Sequence, residues 1–276
     1  MKSLLTLILL VLLAQNAKCE ESIGVALYDV GRLYDTIPSN FYNDKSYTPN
    51  GKNRWGTERY NRKVENIVAV IDSMNMPIVA LFGVENEEVV RDIVMHSKQD
   101  YSYIHRTIDY YDGLDFAILY YGDRLFVERI SSTNHTMIVR GEIGEESISF
   151  HLARVGGRLR STLPDDGSKP TDINIVWGRL SRDDLKRLKM DDPLRKAERA
   201  GYGESMGKLS WEFQNRVGVT LPKQSSAKCG VYITEWLLTS DSKIPLSTIS
   251  DGRYWGGYSS HLPLYLYINT TPKGED

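Results

Sequence analysis

Four stretches of this chain share one pattern, a short run of aliphatic, β-branched and aromatic residues that ends on glycine or a polar side chain. They are 25–35 (VALYDVGRLYD), 78–86 (IVALFGVEN), 148–158 (ISFHLARVGGR) and 173–182 (INIVWGRLSR). A fifth, 257–263 (GYSSHLP), holds a histidine between a strand-like approach and a strand-like exit. Such runs read as strands whose ends present polar groups. The first spans 23–30 and ends where Gly31 opens a loop. Thr57 is placed to cap a helix over 58–74, with Tyr60, Val64, Ile67, Val68 and Ile71 at helical spacing. Asn86 is placed to cap a second helix over 87–95, with Glu87 and Glu88 at its positive end. Ser181 and Asp184 form a capping-box pair for a third, running through Lys189. Further strands are expected at 101–105, 114–121, 125–130, 136–142 and 146–152 as one meander. A loop-rich stretch with Gly201, Gly203, Gly207 and Gly218 then precedes two last strands, 231–239 and 263–269. Strands with interspersed helices and no regular βαβ repeat predict an α/β chain with two sheets packed face to face and helices outside.

The amino terminus has its own logic. Met1-Lys2 and the apolar run Leu4 to Ala14 have the n-region and h-region of a secretory signal peptide and are short for a membrane span. Residues 1–19 are therefore expected to be removed, leaving a secreted or periplasmic protein with no transmembrane segment. Residues 20–276 contain no Gly/Ser or Pro-rich linker and suit a single domain. With 34 basic and 36 acidic side chains, the net charge of −2 supplies no overall field for a polyanion, so any anion site must come from local clustering. Cys19 and Cys229 make no disulfide framework.

Several motifs are more specific. Tyr47-Thr-Pro49, Trp55, Arg59-Tyr60, Lys63 and Val84-Glu-Asn86 form a "TP…W…RY..K…VEN" run, and Asp115-Phe-Ala-Ile-Leu-Tyr120 follows Gly113. Together with the five stretches, in that order, they resemble the endonuclease/exonuclease/phosphatase superfamily, and within it the bacterial predicted extracellular nuclease branch. The resemblance runs from about Ile23 to Ile268. It implies a four-layer α/β/β/α sandwich of two mixed sheets with outer helices.

It also implies a chemistry against which these residues can be judged. Phosphodiester hydrolysis needs a cation that neutralises phosphoryl oxygens and activates water, and Mg²⁺ or Mn²⁺ takes carboxylate oxygens for that purpose. Matched to the family's motifs, the first-strand Asn is Asp29, the metal-binding Glu is Gly83, and the Asp-x-Asn pair is Arg179 and Ser181. The acid before the terminal His is Ser260, and an arginine before Gly113 is Asp112. A guanidinium at 179 cannot serve as a base at neutral pH. His151 matches the middle-strand histidine and His261 the terminal one, and Glu235 falls where an orienting acid is expected.

Two readings follow. In the first, the chain is a pseudo-nuclease with no cofactor, keeping His151, His261 and Glu235 as remnants and binding a phosphate-containing or other anionic ligand through Arg154, Arg179 and Ser181. In the second, a shifted set with Asp29 and Glu85 as metal ligands still holds Mg²⁺ or Mn²⁺ and cleaves a phosphoester. A third use of the fold, docking a protein partner, would rest on the tyrosine-rich loops around Tyr28, Tyr34, Tyr42, Tyr47 and Tyr254-Trp255.

Overall fold

The computed structural model describes residues 21–154, 163, 167–197, 215–232, 259 and 261–270. In it two mixed sheets face each other. The first has six strands in the order β10-β11-β1-β2-β4-β3, and the second five in the order β5-β6-β7-β8-β9. The first sheet is built from β1 (Glu21–Leu33), β2 (Ile78–Val84), β3 (Ser102–Arg106), β4 (Asp115–Tyr120), β10 (Ser226–Val231) and β11 (Leu264–Thr270). The second holds β5 (Phe126–Thr133), β6 (Thr136–Ile143), β7 (Glu146–Ala153), β8 (Ile173–Gly178) and β9 (Arg216–Thr220). The expected meander is divided: β3 and β4 pair in the first sheet, and the chain crosses to the second before β5.

Alternation along each strand decides what faces what. Val25 and Leu27 on β1, Ala80 and Phe82 on β2, and Phe150, Ile175 and Trp177 on the second sheet meet in the core between the sheets. Phe82 packs on Phe116 with ring centroids 4.8 Å apart, and Phe116 meets Trp177 edge-on at 6.3 Å, so one aromatic row ties the two sheets together. The opposite face of the first sheet, with Ala26, Tyr28 and Val30, is covered by helices α1 (Thr57–Met74) and α2 (Glu87–His96). The outer face of the second sheet carries a smaller cluster in which Val176 meets Leu185 of α3 (Arg182–Arg187). Leu194, from α4 (Pro193–Ala197), belongs to the central core.

Local signals are realised with three corrections. Asn86 caps α2 by accepting from the Val89 N–H at 3.0 Å, and the Ser181–Asp184 capping box is present. At α1 the cap position is taken by Gly56 rather than Thr57. β1 does not stop at Val30 but continues through Gly31 to Leu33, with an irregular register against β2. Strand β9 runs through Gly218, in a region expected to be loop. A Cβ there would lie 2.5 Å from Leu185 and 2.9 Å from Val176, so glycine serves close packing of α3 on the sheet. The expected strand over 231–239 falls almost wholly outside the described residues, as does Tyr254-Trp255. Among the described residues no helix is long and apolar enough to cross a membrane.

Candidate functional site

The polar cluster forms around Asp29, near the carboxyl-terminal end of β1. Residues 25, 27 and 29 share a face, so the alternation that sends Val25 and Leu27 into the core carries Asp29 to the rim between the sheets. Asp29 is 4% exposed. One carboxylate oxygen accepts from the Gly31 N–H at 2.9 Å and the other from the Asn215 side-chain amide at 2.6 Å. The Ser259 hydroxyl donates to the Asp29 carbonyl at 2.6 Å and accepts from the His261 N–H at 3.0 Å, latching the lead-in to β11 against β1. This brings the His261 Nδ1 to 3.5 Å from Asp29.

Burial holds the His261 imidazole below its ordinary pKa; Asp29 pulls it back up, while Arg179 and Lys63 add to the lowering. At neutral pH the contact is therefore between a carboxylate and a neutral ring rather than an ion pair. Arg179 is exposed and shares a small recess with Asn215, Arg154, Phe82 and Trp177. Lys63, from the inner face of α1, is 3% exposed. Burial pulls its ammonium down to a pKa of about 7, with Asp29 opposing.

The other expected site residues lie apart. His151 points away from the Phe150 and Leu152 side of β7. Its Nε2 meets the Ser149 hydroxyl at 3.0 Å, and that hydroxyl bonds Asn174 at 2.7 Å. The two histidines are thus not brought together. Arg154 is buried under Tyr110, with its guanidinium carbon 4.1 Å from the ring centroid, and it bonds both the Leu114 carbonyl and the Asp112 carboxylate. The acid at 112 has become the partner of this arginine. Ser181 is occupied as a helix cap, its hydroxyl bonding Asp184. Glu235 lies outside the described residues. Of the loop tyrosines, Tyr28 and Tyr34 are buried, Tyr47 packs against the helix-side core, and the Tyr34 and Tyr47 rings meet at a tilt with centroids 4.5 Å apart.

A divalent ion does not fit what is present. Gly83, where the resemblance places the metal-binding glutamate, has φ +94°, and a Cβ on it would stand 2.2 Å from the Gly31 carbonyl oxygen. The backbone itself leaves no room for a side chain there. Glu85 accepts from the Asp35 N–H at 2.7 Å, and Asn86 donates to the same aspartate at 2.9 Å. Burial raises the Glu85 carboxyl to about 8 against that hydrogen bond, with Asp35, Asp44 and Asp115 adding to the rise. Asp29 and Glu85 are held by different partners, and no group of three His, Cys, Asp or Glu among the described residues could hold a metal ion.

The structure brings His261 to Asp29, together with Asn215 and Ser259, which sequence reasoning did not single out and which reach Asp29 across most of the chain. No local pattern announces such partners. Lys63 did carry a signal: it sits three residues after Tyr60 and four before Ile67, on the apolar stripe of its helix.

A sequence model of the Endonuclease/Exonuclease/phosphatase family matches residues 24–163, and the chain belongs to that family. No curated protein matches the sequence. Solved structures agree on the fold. An endonuclease/exonuclease/phosphatase family protein from Bacteroides thetaiotaomicron superposes with a TM-score of 0.57 at 9% identity, covering 92% of this chain and 100% of that one. TDP2 from Caenorhabditis elegans does so with 0.55 at 11% identity, covering 93% and 78%. A mannosyl-6-phosphatase from Bacteroides thetaiotaomicron gives 0.52 at 11% identity, covering 89% and 99%.

Proposed function

We propose that this member of the family is an exported protein in which metal-dependent hydrolysis is lost, and whose cleft is kept to bind a phosphate-containing or other anionic ligand. The observation that carries the reading is Gly83. A missing carboxylate could be replaced by a neighbour, but a left-handed backbone pressed against Gly31 removes the ligand position itself. Arg179 near the cluster adds a second obstacle, since a guanidinium repels a cation and attracts an anion. The apolar amino-terminal run supports export.

The test is direct. Purified protein is incubated with Mg²⁺ or Mn²⁺ and plasmid DNA, RNA, a small phosphodiester or a sugar phosphate, and product is quantified against an EDTA control. No turnover above the EDTA control is expected. Metal-dependent turnover that disappears in His261→Ala would overturn the reading.

A further inference from the structure

Two loops at the rim of the cleft are fixed in place yet hold aromatic rings out in solvent. In the loop after β1, the Ser39 hydroxyl accepts from the Phe41 and Tyr42 N–H groups at 3.1 and 3.2 Å. The Ser39 N–H donates to the buried Asp44 carboxylate at 2.7 Å. In the turn before β4, the Gly113 N–H donates to the Tyr110 carbonyl at 2.9 Å. Gly113, at φ +67°, lies so close to Tyr42 that a Cβ on it would stand 2.7 Å from the ring. The Asn43 N–H donates to the Tyr111 carbonyl at 3.1 Å, and the Tyr34 hydroxyl to the Asp112 carbonyl at 2.9 Å. Each loop therefore holds the other. Ordering backbone in this way costs conformational entropy, which burial of apolar side chains normally offsets. Here Phe41 stays 89% exposed and Tyr111 69%. A single apolar side chain at a surface requires no account, whereas ordered apolar side chains gathered beside a cleft mark a binding surface.

The contacts show what this surface adjoins. The Arg154 guanidinium lies between two rings, 5.2 Å from the Phe82 centroid and 4.1 Å from that of Tyr110. Tyr110, half-buried, meets Tyr111 with centroids 4.7 Å apart. A row of flat groups, Phe82, Arg154, Tyr110 and Tyr111, thus runs outward from the recess that Arg154 shares with Arg179. Arg154 is paired with Asp112, so the cation that draws an anion at the inner end is the exposed Arg179. The outer end offers ring faces, which draw flat apolar groups. Asp112 and Ser39 are engaged in holding the rim together, so neither is left to read the hydroxyls of a polyol. A lipid surface or a protein partner would have no need of a guanidinium at the inner end of the row. Its continuity with Arg179 favours one ligand that carries both an anion and rings.

We propose that Tyr110, Tyr111 and Phe41 select the organic part of the ligand: the cleft takes a phosphate ester bearing flat aromatic rings, with the phosphoryl group at Arg179 and the rings against the tyrosines. The inference rests on the anion-binding reading above and adds the chemical class of the ligand.

The experiment titrates the full chain calorimetrically, in EDTA, with biphenyl phosphate, glycerol phosphate and inorganic phosphate. The two rings of the first probe match the Tyr110–Tyr111 pair. The wild type is expected to bind biphenyl phosphate about 10-fold more tightly than glycerol phosphate, the order of gain from stacking one ring or two. Phe41→Ser and Tyr111→Ser are each expected to lose most of that preference at an unchanged melting temperature, because both side chains are exposed. Met95→Ser, which removes an equally exposed apolar side chain from α2, is expected to keep it. Equal affinity for the two esters would sink the role of the rim and leave the anion-binding reading standing. Absence of binding by all three probes would sink both. Rim variants that keep the wild-type preference, or that weaken both esters equally, would overturn the proposal. So would a Phe41→Ser protein that keeps the preference but no longer sediments with phosphatidylcholine vesicles, or no longer forms a dimer that the wild type forms, since the rim would then serve a membrane or a second copy of the chain.

Discussion

Gly83 and Gly31 are pressed together at the end of β1 and β2, so that any Cβ on Gly83 would lie 2.2 Å from the Gly31 carbonyl oxygen. Restoring the carboxylate by Gly83→Glu is therefore expected not to restore metal binding. The variant should lose on the order of 1–3 kcal/mol of stability from the left-handed backbone alone, with more from the clash. Urea denaturation, with and without Mg²⁺, checks both halves; a metal-induced stabilisation of the variant would contradict the expectation.

Arg154 holds the β7 end against the Leu114–Asp112 segment and lies under Tyr110. Arg154→Met should cost roughly 1.5–3 kcal/mol, the range for hydrogen bonds to a charged group, and should leave phosphate affinity within about twofold of the wild type. A loss of affinity without a loss of stability would return Arg154 to the ligand-binding set.

Ser181→Ala removes the capping box of α3. The expected effect is a loss of about 0.5–2 kcal/mol, read as a shift in the denaturation midpoint, with phosphate affinity unchanged. Weakened binding at constant stability would show that the hydroxyl serves a ligand instead.

Two buried groups make stability depend on pH in opposite directions. Glu85 is raised from its ordinary 4.5 to about 8, so the folded state holds more protons across that window and stability should fall as pH rises through it. Lys63 is lowered from 10.5 to about 7, so the unfolded state holds more protons above 7 and stability should rise with pH from about 7 to 10.5. Stability is thus expected to pass through a minimum near pH 7–8, where the two windows meet. Denaturation curves at several pH values check the shape: Glu85→Gln should abolish the fall on the acid side and Lys63→Met the rise on the alkaline side.

Much of the fold was legible because its causes are local. The apolar runs at 78–84 and 173–178, the helical stripe from Tyr60 to Ile71 and the Asn86 and Ser181 caps each depend on side chains only a few residues apart. The errors arose where glycine acts through a distant contact. Gly218 reads as loop until α3 is packed against it, and Gly31 reads as a strand end until β2 is beside it. Arg154 reads as a free cation until Asp112 and Tyr110 close over it.

By itself, the order of motifs determined the two-sheet α/β fold, the family and the fact that a carboxylate is missing at Gly83, since residue identity and spacing are properties of the chain. Only the tertiary structure decided that this absence is built into the backbone. It also decided that His151 and His261 face different neighbours, and that Asn215, Ser259 and His261 converge on Asp29. These are contacts across long loops, and their burial and charge exist only once the sheets, helix α1 and the β11 lead-in have packed around one point.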